Sequence, residues 1–129
     1  MNEALEHDSR PVAVRQAEVG ATAWREVVHA QQGAPRDHSD FYALAGSLAE
    51  TLAAARSLAG LLARQIETYG EGLAPGRRVY DDTGTVDPHE RLVAASVEAE
   101  GIAEALDTAE WSAQRFWSAV SHIGVEDAR

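Results

Sequence analysis

The chain has 129 residues, 45% of them apolar and 25% charged, a composition that suits one globular domain and excludes a disordered chain. Its 21 acidic side chains outnumber 11 basic ones, all arginine, giving a formal charge of −10. That balance argues against recognition of a nucleic-acid backbone, which needs clustered positive charge. With no cysteine, the chain can form no disulfide, thiolate nucleophile or cysteine-ligated metal site.

Residues 1–9 are polar and acidic and read as a frayed tail ahead of a single domain over 10–129. The stretch from Met1 to Arg10 lacks the basic and apolar regions of a signal peptide. No apolar run approaches the ~20 residues of a membrane span. The expected location is therefore the cytoplasm, with no membrane partner.

A first helix is expected over about 11–32, with Pro11 tolerated in its first turn and Gly33, Ala34 and Pro35 ending it. Ala13, Ala17, Ala21, Trp24, Val27 and Val28 fall on one face. A second helix is expected over about 39–70, with Asp37 or Ser39 as N-cap and Asp40 favoured by the helix dipole. Phe41, Ala45, Leu48, Leu52, Ala55, Ala59, Leu62, Ile66, Tyr69 and Leu73 alternate steps of four and three, a heptad seam. Gly70 and Gly72 are its stop signals.

The third helix, over about 87–124, has the clearest start: Asp87 as N-cap, Pro88 at the first helical position and Glu90 at the third. Its seam reads Leu92, Ala95, Ala99, Ile102, Leu106, Ala109, Ala113, Phe116, Val120 and Ile123. Two long seams joined by residues 71–86 predict an all-α fold: a long antiparallel helical hairpin plus a shorter N-terminal helix.

Apolar side chains remain outside those seams. Leu58 and Leu61 point to one side of the second helix, Val93, Val97 and Trp111 lie nearly opposite the seam of the third, and Trp117 lies at its edge. An uncovered stripe of this kind marks a contact surface. With Trp24, these residues are the expected partner interface. They predict a homodimer whose paired hairpins complete a helical bundle, with another protein as a further possible partner.

Sites of chemistry are sparse. Glu26 and His29 have the Glu-x-x-His spacing of di-metal bundles, but they fall opposite Trp24 and Val28, and no second such motif exists. Glu98, Glu100, Glu104 and Asp107 read as an outer acidic surface. The connector carries Arg77, Arg78 and Tyr80 and is longer than helix–helix connections usually are, so those three are candidate contacts for a partner or an anionic ligand. It has neither the alternating acids of a calcium loop nor a phosphate-binding glycine–lysine pattern. The expected function is a non-catalytic, self-associating interaction or scaffold protein with no catalytic, cofactor or metal residues. The alternative is a metal-binding or small-ligand-binding helical bundle. Nucleic acid is not an expected partner.

Overall fold

Backbone hydrogen bonds within helices dominate the computed structural model, which describes residues 8–128. Most of the expected N-terminal tail, residues 1–7, lies outside the described residues. Three helices form: α1 over Val12–Gly33, α2 over His38–Glu67 and α3 over Pro88–Val120. The chain divides into two compact units between Arg36 and Asp37, with α1 in the first and the α2–α3 hairpin in the second.

In α1 the backbone N–H of Arg15 donates to the Pro11 carbonyl at 3.2 Å, so the proline lends its acceptor without needing a donor. The helix stops at Gly33, where Ala34 turns to extended backbone ahead of Pro35. No residue of α1 is buried. Trp24 and Val27 are half-buried, whereas Val12, Val19 and Val28 are exposed.

The hairpin begins at a formed cap. Asp37 accepts from the Ser39 N–H at 2.8 Å and from its hydroxyl at 2.6 Å, and Asp40 stands in the first turn of α2. At the other end α2 is three residues shorter than the sequence suggests. The Thr68 hydroxyl and N–H both turn back to the Arg64 carbonyl, and the chain tightens into one 3₁₀ turn, Tyr69–Gly72. In α3, Asp87 accepts from the His89 N–H at 2.9 Å, with Pro88 at the start as expected. This helix stops at Val120 rather than near 124, because His122 and Ile123 bond to carbonyls three residues back.

The two long helices, of 30 and 33 residues, pack along their length. Their register differs from the expected seam in an informative way. On α2 the inward string is Ala45, Ala49, Leu52, Arg56, Ala59, Ala63 and Ile66, all buried or half-buried. On α3 it is Leu92, Ser96, Ala99, Ala103, Leu106, Glu110, Ala113, Trp117 and Val120. Both strings share every other residue with the expected seams. Each then takes the neighbour four residues on rather than three. Leu48 and Leu62, expected inside, are 39% and 41% exposed, and Ile102 and Phe116 are 55% and 49% exposed.

Backbone proximity accounts for this choice. The fully buried positions are small: Ala45, Gly46, Ala49, Ala59, Ala63, Ser96 and Ala113 are joined by one larger residue, Val120. Small contact residues set the lower limit of interaxial distance, and leucines there would hold the axes apart. The Ser96 hydroxyl exploits the approach by donating to the Ala63 carbonyl across the interface at 2.9 Å. Among the described residues no large side chain is fully buried. The hairpin therefore has a narrow core and gains little from area burial compared with a leucine-filled one.

Candidate interaction surfaces

The inward strings divide the hairpin into two broad faces. On one, Arg56 of α2 donates from Nε to Glu110 of α3 at 2.7 Å, with Asp107 3.9 Å away. On the same face Tyr42 and Trp117 stack at a tilt, with ring centroids 5.8 Å apart. Gly46 lies beneath the indole, where an added Cβ would come within 3.0 Å of ring carbons. Trp117 Nε1 is buried with no acceptor among the described residues. Glu100, Glu104 and Asp107 follow on this side of α3 at about 100° per residue, so the face is acidic and polar.

The opposite flanks share the other face, because the Arg56–Glu110 and Tyr42–Trp117 contacts fix the handedness of the pair. There α2 presents Leu44, Leu48, Thr51, Ala55, Leu58 and Leu62, without a charged residue among them. The α3 flank presents Ala95, Ile102, Ala109 and Phe116. The hairpin is thus amphipathic as a unit: one face ion-paired and acidic, the other apolar and uncharged.

The expected interface residues scatter across this geometry. Leu58, 47% exposed, stands on the apolar face, and Leu61, 42% exposed, at its outer border. Val93, Val97 and Trp111 lie on the polar side and outer edge of α3, with Trp111 64% exposed beside Arg56, Asp107 and Gln114. Trp117 is half-buried within the hairpin, and Trp24 belongs to the other unit. Within the hairpin, the structure therefore does not bring the six that lie there onto one surface. It gathers instead Leu48, Leu62, Ile102 and Phe116, which sequence reasoning assigned to the core. Their signal was present, since they repeat at heptad spacing, but the same spacing also fits burial.

The connector is ordered around one carboxylate. The Asp81 side chain is 4% exposed. It accepts from the N–H groups of Thr85 at 2.9 Å and Val86 at 3.0 Å, from the Thr83 hydroxyl, and from Arg91 Nε of α3 at 2.9 Å. Val79 reaches back towards Gly70, where an added Cβ would meet its side chain at 3.7 Å. Gly76 and Gly84 supply left-handed backbone at φ 83° and 69°. The candidate contacts Arg77, Arg78 and Tyr80 project from this frame, all exposed, Tyr80 at 75%. Sequence reasoning passed over Asp81 because an Asp-Asp pair in a turn carries no sign of which carboxylate turns inward.

The Thr83 hydroxyl, the Val86 and Thr85 amides and Arg91 hold the Asp81 carboxyl well below the usual carboxylate range, against the opposing effect of burial. Its folded value is depressed, so the stability it adds is complete above the unfolded value of about 3.9 and declines as pH falls from there towards the folded value. Asp81→Ala is expected to cut the exchange protection of the Thr85 and Val86 amides by at least about tenfold at neutral pH. The difference from wild type should shrink below about pH 4. Hydrogen exchange followed by NMR measures both; equal protection in the two proteins at pH 7 would show that Asp81 does not hold the connector.

Glu26 and His29 are both exposed on α1, as their position opposite Trp24 and Val28 suggests. Among the described residues no group of three or more histidine or acidic side chains could hold a metal ion, so the metal-binding alternative has no ligand set there. No helix among them is long and apolar enough to cross a membrane. No known protein family matches the chain, and neither a curated protein nor a solved structure resembles it significantly.

Proposed function

We propose that this chain is a non-catalytic helical interaction protein of the cytoplasm that self-associates through its hairpin. The observation that carries the proposal is the uncharged apolar face. Leu48, Leu58, Leu62, Ile102 and Phe116 stand there between 39% and 55% exposed, while the Arg56–Glu110 pair, Glu100, Glu104 and Asp107 lie on the other side. A contiguous apolar stripe along two long helices is costly to leave in water, and in soluble proteins such patches are contact sites. The narrow alanine core supports the same reading, since a thin hairpin of this size gains stability from a second surface. Light scattering across a wide dilution range at micromolar concentration tests it. The expected mass is twice the 13.9 kDa of one chain. A monodisperse monomer throughout would overturn the reading.

A further inference from the structure

Resting on that reading, we infer that the apolar face is a self-complementary dimer interface. A second copy docks by the same face, turned so that α2 lies antiparallel on α2 about Ala55 and α3 antiparallel on α3 about Leu106. Three features bear on the occupant: charge sets which faces can meet, and shape and area fit a second copy in this orientation.

The first is charge. Each copy carries −10. Two such chains repel unless their acidic surfaces point apart. Docking by the uncharged face does this: Glu100, Glu104 and Asp107 of both copies then face outward, away from the contact.

The second is shape. On the α3 flank, Phe116 and Ile102 are large, while Ala109 and Ala95 are small, and all four repeat at heptad spacing. A two-fold axis level with Leu106 seats Phe116 over Ala95 of the second copy and Ile102 over its Ala109, and the reverse. On α2, Leu48 and Leu62 are spaced equally either side of Ala55, so the same operation brings each against the other's counterpart. The axes coincide in level, because Arg56 meets Glu110 and Ala63 meets Ser96 across the hairpin, which sets Ala55 close to Leu106 in height. On the α3 flank large thus meets small, the pattern that interdigitates at a two-fold, isologous contact, while on α2 leucine meets leucine on either side of an Ala55–Ala55 contact.

The third is area. Along α3 the face runs from Ala95 to Phe116, about 33 Å at 1.5 Å per residue, and two helices side by side are about 20 Å across. That gives about 650 Å² per copy, about 1,300 Å² in total, within the range of specific interfaces.

The test uses the full chain in sedimentation velocity, with circular dichroism to confirm that each variant stays helical. Wild type is expected to be a dimer. Leu62→Glu should dissociate it, and Val97→Glu, on the outer edge, should leave it intact. The chain has no cysteine, so Ala55→Cys adds a reporter that does not depend on disrupting the face. Under mild oxidation Ala55→Cys should give a covalent dimer, because the axis sets the two thiols opposite one another, whereas Val97→Cys should not. A dimer that resists Leu62→Glu, is broken by Val97→Glu, or gives no Ala55→Cys cross-link would overturn this interface and leave self-association standing. A wild-type monomer at every concentration, or one that pairs only with a different protein, would overturn both.

Discussion

Gly46→Leu is expected to destabilise the hairpin by about 3 kcal/mol, a large share of the margin of a small domain. Glycine inside a helix costs about 1 kcal/mol relative to alanine, so its presence in α2 needs a compensating contact. That contact is the indole of Trp117. A Cβ at residue 46 would sit 3.0 Å from Cε2 and Cζ2 and 3.3 Å from Nε1, and the remainder of a leucine would need the space the ring now fills. The ring cannot yield freely: Tyr42 packs on it 5.8 Å away, centroid to centroid, and its buried N–H has no acceptor, so packing alone holds it. A buried donor without a partner costs roughly 1–3 kcal/mol, and displacement of the ring into water would recover that while losing the inter-helix contact. Urea unfolding followed by tryptophan fluorescence should show both the lost stability and a red-shifted native spectrum. Gly101→Ala is the control, because nothing lies within 4 Å of a Cβ there; it should gain up to about 1 kcal/mol from propensity. Equal stability of Gly46→Leu and wild type would mean that the indole does not rest on residue 46.

The melting temperature should depend on protein concentration. If the apolar face is covered by a second copy, unfolding releases two chains. A hundredfold dilution then lowers the free energy of unfolding by about 2.7 kcal/mol per dimer through mass action. For helices of this size that corresponds to several degrees. Calorimetry at a few micromolar and at a few hundred micromolar measures the shift directly. Leu62→Glu should melt at one temperature irrespective of concentration, and below wild type at the higher one. A wild-type transition that does not move on dilution would remove the thermodynamic basis of self-association.

Much of the architecture was legible in the sequence because it rests on local signals. Asp37 and Asp87 announce helix starts through their side-chain acceptors, and Pro88 can only begin a helix. The period of the two seams was legible too. Their register was not. Ala45, Leu52, Ala59 and Ile66 belong to both possible strings on α2, as Leu92, Ala99, Leu106, Ala113 and Val120 do on α3. Hydrophobicity prefers Leu48, Leu62, Ile102 and Phe116 as the alternating members. The fold takes Ala49, Ala63, Ser96 and Trp117 instead, because backbone approach favours small residues and because Gly46 makes room for one indole. That decision depends on two helices at once, so neither helix displays it alone. The register carries into the site. With the leucines expected inside, Val93, Val97 and Trp111 are the expected surplus of α3; the structure adds Ile102 and Phe116 as exposed apolar residues on another side of that helix. Asp81 was missed because its partners, the Thr83 hydroxyl, the Thr85 and Val86 amides and Arg91, converge only once the connector is folded, and neighbouring Asp82 reads the same in sequence.

The Asp81 knot has a consequence for what the molecule displays. Because the carboxylate ties the connector to α3, Tyr80 and the two arginines beside it are presented from a fixed frame, and a ligand that meets them pays little to order the loop. In the antiparallel pairing inferred above, the two connectors project from opposite ends of the assembly, about 50 Å apart, a spacing set by helix length. Such a dimer would act as a bivalent ruler. Two tethered targets at that separation would be held with an avidity that neither end supplies alone, and targets spaced more closely would not bridge it.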